Sequence, residues 1–126
     1  MKKKIIISIN PEHVVNILSG LKKYEYRTKA AKSDINKIII YETMPVKKVV
    51  AEAEIVKVLE MAPDKLWELT KEKSGISRKY FDTYFYGRSI AYAYEIGKVK
   101  VFDKPLDLID FGIKSAPQSF VYIKSR

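Results

Sequence analysis

A helix that can open at Asn10 and must close at Gly20, followed at once by a short alternating strand, constrains this chain more than any other stretch of it. Asn10-Pro11-Glu12 has the makings of a helix start. Asn10 stands where a side chain can cap free backbone N–H groups, Pro11 falls at the first helical position, and Glu12 lies near the positive end. Val14, Ile17, Leu18 and Leu21 recur at helical spacing and predict one buried face. Gly20 supplies the stop, and Tyr24-Glu25-Tyr26-Arg27 then alternates as a strand. Glu25 and Arg27 fall on one face of that strand, and Lys22, on the turn, is free to lean toward them. Three charges are thus predicted to converge at a helix-to-strand corner.

Around that corner the periodicity is mostly that of strands. Lys4 to Ile9 and Ile35 to Tyr41 are nearly continuous apolar runs, and from Val49 to Leu59 Ala51, Ala53 and Ile55 alternate with Glu52, Glu54 and Val56. Ala30 to Ser33 reads as a small polar connection. Pro63 opens a predicted helix through about Lys73 that buries Leu66, Leu69 and Trp67, with Gly75 ending it. Ser77 is placed to cap a second short helix carrying Tyr80, Phe81, Tyr84 and Phe85, which Gly87 breaks. Phe81, Tyr84, Phe85 and Trp67 are expected to dock these helices on the strands. In Ser89 to Ile96, Ile90, Tyr92, Tyr94 and Ile96 share one face; Gly97 is expected to bend or bulge the strand before Lys98 to Phe102 resumes it. A loop around Gly112 and Pro117 leads to a last strand, Phe120 to Ile123. Five or six strands with short helices between them predict an α+β fold, a small and mostly antiparallel barrel with helices over its ends.

The length, 126 residues, and a hydrophobic content of 47% suit a single domain, 1–126, with one core. No apolar run approaches membrane-spanning length, and Ile5-Ile6-Ile7 after Met1-Lys2-Lys3-Lys4 is too short for a signal-peptide core, so no membrane partner is expected and a cytoplasmic location is the default. The chain has no cysteine, which removes disulfides, thiolate metal sites and cysteine nucleophiles. His13, the only histidine, falls in a first helical turn where exposure is expected; alone it makes no zinc site, and no metal or cofactor is expected. The net charge of +9 favours a polyanionic partner, although an abundance of Lys over Arg is equally what a biased genome composition would leave.

Gly20 to Arg27 spells G-x-K-x-x-E-x-R, and with the preceding Ile-Ser-Ile-Asn-Pro-Glu it resembles the ASCH domain, a branch of the PUA-like β-barrel superfamily. The order of elements, the turn Tyr41 to Val46 and the closing Pro117-Gln118-Ser119-Phe120 also look like stand-alone prokaryotic ASCH proteins, so the resemblance runs from about Lys4 to Ile123. It implies a PUA-like barrel and a cleft that binds RNA or a modified nucleotide. Some ASCH proteins that are similar in the motif remove an acetyl group from N4-acetylcytidine, and others have ribonuclease activity. In the amidohydrolases a threonine nucleophile occupies the position held here by Glu25, while Lys22 matches their lysine. The acyl-transfer mechanism does not carry over without that threonine; Lys22 and Glu25 remain the catalytic candidates if the chain is an enzyme, Glu25 as general base to a water and Lys22 at the developing oxyanion.

The residues alone admit a plainer account, in which Glu25 and Arg27 form a strand-surface ion pair worth ~0.2–1 kcal/mol. Adding Lys22 favours a cleft for a planar anion: Arg grips phosphate or carboxylate bidentately, Lys supplies a point charge, and Glu accepts from an exocyclic amino group. By the resemblance, Thr43 and Ser119 are further contacts and Gln118 a weaker one, while Tyr24, Tyr26, Tyr41 and Tyr122 offer stacking surfaces. Three functions stay open: RNA or nucleotide binding, hydrolysis of a nucleoside or RNA, and a transcription-related regulatory or coactivator-type module. There is no helix-turn-helix for DNA, and a homodimer through a strand edge is left open.

Overall fold

The computed structural model describes residues 3–31 and 34–123; Met1 and Lys2 of the basic start, Lys32 and Ser33 of the polar connection, and residues 124–126 lie outside the described residues. The elements follow in the order β1 (Lys3–Ile9), α1 (Pro11–Ser19), β2 (Tyr24–Arg27), β3 (Ile35–Glu42), β4 (Lys48–Met61), α2 (Pro63–Thr70), α3 (Arg78–Tyr84), β5 (Ala91–Leu106) and β6 (Phe120–Ile123), with single 3-10 turns after α2 and β5. All strands join one six-stranded sheet in the order β2-β5-β4-β3-β1-β6. Only β1 and β3 run parallel; the other pairings are antiparallel, as the α+β reading expects. Among the described residues the hydrogen-bonded ladder is not closed, and β2 and β6 stand at its two ends.

The unbroken apolar runs of β1 and β3 have a direct cause: both faces of the sheet are covered there. Ile5, Ile7 and Ile9 join Ile38 and Ile40 in a core under α1, where Val14 and Ile17 are buried. Ile6, Ile39, Tyr41 and Val49 face the opposite side and are covered by Phe102, Leu106, Phe111 and Ile113. A third cluster gathers Tyr26, Leu59, Leu66, Trp67, Phe81, Phe85, Ala91 and Ala93 beneath α2 and α3. Strand β5 serves all three of these cores, Tyr94 and Ile96 in the first, Phe102 and Leu106 in the second and Ala91 and Ala93 in the third, so the expected alternation of Tyr94 and Ile96 with Ala91 and Ala93 holds with both faces covered, while Ile90, just before the strand, is exposed. Its two predicted halves are one continuous strand, with the pairing to β4 shifting register around Ile55, opposite Ile96 and Gly97.

Two predicted core leucines are outside. Leu21 is 65% exposed and Leu69 60%. Gly20 takes a left-handed φ of 86°, which turns the chain away from the axis of α1 before Leu21, so helical spacing no longer applies to it. Asn10 holds the capping position, but its side chain makes no capping hydrogen bond. Its carbonyl instead accepts from the N–H groups of His13 and Val14, while Oδ1 accepts from the Thr43 hydroxyl at 3.3 Å.

The segment that follows β2 is pinned from the core. The Tyr94 hydroxyl, fully buried, accepts the Ala31 N–H at 2.9 Å. Tyr94→Phe leaves that amide without a partner and is expected to cost ~1–3 kcal/mol. Urea unfolding measures this as a lowered midpoint at unchanged slope.

Candidate functional site

Strand β2 is an edge strand, and the space beside it, toward the N-terminus of α1 and the outer face of α3, is an open cleft of about 300 Å³. Lys22, Glu25, Tyr26 and Arg27 line it from the corner and from β2; His13 comes from α1 and Tyr80 and Tyr84 from α3. Ser8, Asn10, Thr43 and the segment Ala116–Gln118 complete it. That last segment is stitched to the end of β1, since the Ser8 hydroxyl donates to the Pro117 carbonyl at 2.7 Å and the Ser8 N–H to the Ser119 carbonyl at 3.3 Å.

The three motif charges converge here. Arg27 donates to Glu25 Oε2 from both Nε, at 3.1 Å, and Nη2, at 2.9 Å, and Nη2 also reaches the Ser8 carbonyl at 2.6 Å. Only 4% of Glu25 and 2% of Lys22 is exposed, so this is not the solvated ion pair of the plainer account. Glu25 Oε1 is buried with no hydrogen-bond partner, an arrangement that costs ~1–3 kcal/mol while nothing donates to it.

Lys22 is clamped from three sides. Its Nζ donates to the Ser74 carbonyl at 2.9 Å and stands 4.7 Å from the centroid of the Tyr26 ring. Gly75 closes over its stem at φ 69°; a Cβ there would lie 2.5 Å from Lys22 Cβ, so only glycine admits this approach. The turn carrying Ser74 and Gly75 is held in turn by the Asn16 amide, which donates to the Gly75 carbonyl, and by the Lys23 N–H, which donates to that of Lys73. Tyr26 is tied below by its hydroxyl to Thr70 Oγ1 at 2.6 Å.

Burial sets the protonation of these groups. It brings the Lys22 ammonium from its ordinary value of 10.5 down to about 8, against the pull of Glu25 and with the help of Arg27. Burial likewise lowers His13 from 6.5, Glu25 opposing, so the imidazole is neutral at neutral pH. The Tyr26 phenol is pushed up to about 12 by burial, with the Thr70 hydrogen bond working the other way.

Among the residues singled out from sequence, Lys22, Glu25, Tyr26, Arg27, Thr43 and Gln118 meet in the cleft. Tyr24 and Ser119 do not line it: Tyr24 packs against the cluster under α2 and α3, and Ser119 contributes its backbone carbonyl to β1. Tyr41 is buried in the opposite core, and Tyr122 pairs edge-on with Phe120. Sequence reasoning missed His13, Tyr80 and Tyr84. His13 is half-buried because Tyr80 covers it, the hydroxyl 3.0 Å from Nε2 and the rings 5.3 Å apart at 80°. Tyr84, expected as a docking residue, instead faces the cleft while Phe81 and Phe85 do the docking. The signal was present in the i, i+4 spacing of the two tyrosines beside the two phenylalanines, which splits the helix into two aromatic faces.

The sequence model of the ASCH domain matches residues 7–114. The chain belongs to the ASCH domain family. The crystal structure of ASCH from Zymomonas mobilis is similar over 97% of this chain and 88% of that one, with a TM-score of 0.88 and 26% identity, so the barrel-like PUA-like fold expected from the sequence is shared with it. A Zymomonas mobilis protein named ASCH domain-containing ribonuclease is 30% identical over 94 residues, covering 74% of this chain and 64% of the relative. Two proteins of Ureaplasma parvum serovar 3, named ATP synthase subunit alpha and large ribosomal subunit protein uL22, are each 31% identical, over 98% and 95% of this chain. This ASCH domain spans only 16% and 39% of their respective lengths.

Among the described residues no helix is long and apolar enough to cross a membrane, and no three His, Asp or Glu side chains are grouped to hold a metal ion.

The buried ammonium makes stability depend on pH. Between about 8, where folded Lys22 loses its proton, and 10.5, where the unfolded residue does, the unfolded state binds more protons, so stability rises with pH. The full gain for this shift is on the order of 3 kcal/mol. Lys22→Met removes the group, and the difference in urea-unfolding free energy between wild type and variant is expected to move in favour of wild type as pH climbs from 8 toward 10.

Proposed function

We propose that this ASCH domain binds RNA or a nucleotide-like ligand in the cleft beside β2, with Lys22 and Arg27 holding phosphate or base acceptors and Glu25 accepting from a donor edge. The observation that carries the reading is the burial of Lys22 and Glu25, with Arg27 part-buried beside them, at the floor of an open cleft with Glu25 Oε1 unpartnered. Keeping a Lys and an Arg against one Glu in such a place is costly, and a ligand that brings an anion and a donor group offsets the cost. The volume lies at the lower end of the ~300–1,000 Å³ usual for small-molecule pockets, which suits a single nucleotide unit. The net charge of +9 adds salt-dependent attraction for a polyanion. A relative named as a ribonuclease, matching 74% of this chain, supports RNA as the polymer. Thr43 and Gln118 serve as peripheral contacts in this reading.

Hydrolysis is the second reading, and the lowered proton affinity of Lys22 is what favours it. A lysine titrating at about 8 can hold or release a proton near neutral pH, and it stands in one cleft with Glu25 and the neutral His13. Lys22 then stabilises the developing negative charge while Glu25 takes a proton from water.

Binding is tested with fluorescent RNA oligonucleotides from ~50 to ~500 mM salt. Lys22→Met combined with Arg27→Gln is expected to weaken binding ~10- to 100-fold at every salt concentration. Replacing the exposed Lys100 and Lys104 by Ala is expected only to flatten the salt dependence. Equal binding by wild type and the cleft variant contradicts the reading, and RNA cleavage lost with Lys22→Met separates the hydrolase from the binder.

A further inference from the structure

The charged floor of the cleft can hold a phosphate, but it says little about which ring is attached to it. A second group of side chains on the opposite wall is neutral, directional and unused by the binding reading above. Tyr80 and Tyr84 lie one helical turn apart on α3 and both face the cleft, each about two-fifths exposed, at 41% and 38%. Tyr84 is braced from behind by Phe85, centroids 4.8 Å apart and planes at 74°. Tyr80 is held from the side by His13, through the 3.0 Å contact between its hydroxyl and Nε2 and through the edge-on packing of the two rings. This contact joins α1 to α3 across the mouth of the cleft. His13 Nδ1 is buried and without a hydrogen-bond partner, so the imidazole is held through Nε2 and the Tyr80 hydroxyl.

We propose that Tyr80 and Tyr84, with Tyr80 oriented by His13, form the wall that reads the heterocyclic base of a bound nucleotide while the floor holds its phosphate. The inference rests on the nucleotide-binding reading of the same cleft. Braced tyrosines present π-faces at little entropic cost, and a half-exposed ring on a short helix gains most from a flat ligand laid against it. The Tyr80 hydroxyl adds direction. When His13 donates from Nε2 the phenol has its proton free for a base carbonyl or ring nitrogen; when the phenol donates to His13, its lone pairs are free for an exocyclic amino group. His13 acts through Tyr80 and is a positioning residue.

The experiment measures, by isothermal titration calorimetry, the binding of ribose 5-phosphate and of the four ribonucleoside 5′-monophosphates to the full chain. Wild type is expected to hold its preferred nucleotide about tenfold or more tighter than ribose 5-phosphate. Tyr84→Leu and Tyr80→Leu should each erase most of that difference and leave ribose 5-phosphate binding unchanged. Tyr80→Phe keeps the ring and should level the ranking among the four bases. His13→Gln, which can still meet the phenol, should keep the ranking that His13→Leu loses. Equal affinity of wild type for ribose 5-phosphate and the nucleotides overturns the inference and leaves the phosphate-holding floor standing. So does a loss in Tyr80→Leu and Tyr84→Leu that is the same for every ligand. Wild type that binds none of the probes, or binds them with Lys22→Met/Arg27→Gln unimpaired, overturns the inference together with the reading beneath it.

Discussion

The ammonium of Lys22, buried between the Ser74 carbonyl and the face of Tyr26, is the contact on which the arrangement of this domain turns. A lysine with 2% exposure is tolerated only where donors are accepted and charge is answered. Here one donor goes to a carbonyl far along the chain, the ring quadrupole faces the charge, and Glu25 lies close enough to oppose the loss of proton affinity. The neighbours are committed by this. Tyr26 must be tied to Thr70, Ser74 must sit at the turn after α2, and position 75 must be glycine for the chain to pass over the lysine stem. The corner between α1 and β2 and the turn after α2 therefore form one structural unit, although they are separate in sequence.

The sheet explains why that unit lies at a cleft. Strand β2 is short and stands at one end of the strand order, so its outer edge is not covered by another strand. Helices α1 and α3 approach that edge from two sides, and the segment before β6, tied to Ser8, closes a third. Both sheet faces are occupied by apolar clusters, which leaves the β2 edge as the place where polar side chains from distant elements meet. The unpartnered Glu25 Oε1 in this setting is a cost to the free protein, of the kind found where a protein holds a site ready for a ligand.

Much of this was readable from local pattern. The helix opening at Pro11, the glycine stop and the strand carrying Glu25, Tyr26 and Arg27 are short-range features, and the structure keeps them, though without the Asn10 side-chain cap; Ser77 is another, its side chain accepting the Tyr80 N–H as its position suggests. What was not readable is long-range. Ser74 is 52 residues from Lys22, and nothing in the local sequence of either names the other. His13 looked exposed because a first-turn position usually is, yet Tyr80, 67 residues away, covers it. Tyr24, a stacking surface by residue type, falls outside the cleft because it packs against the cluster under α2 and α3, and Ser119, a contact by resemblance, falls outside it with its carbonyl on β1. Leu21 failed for a local reason of a different kind: helical periodicity was extended one residue past the glycine that ends it.

In the proposed reading, an anionic ligand completes the charges of buried Lys22 and Glu25 and part-buried Arg27. Following the Lys22 side chain by carbon-13 NMR through a pH titration, in the free protein and with a saturating short RNA oligonucleotide, tests it most directly. The account predicts a midpoint near 8 in the free protein that moves upward when RNA supplies negative charge beside the ammonium. A midpoint that RNA leaves unmoved, while RNA is bound, would contradict it and place the binding elsewhere on the domain.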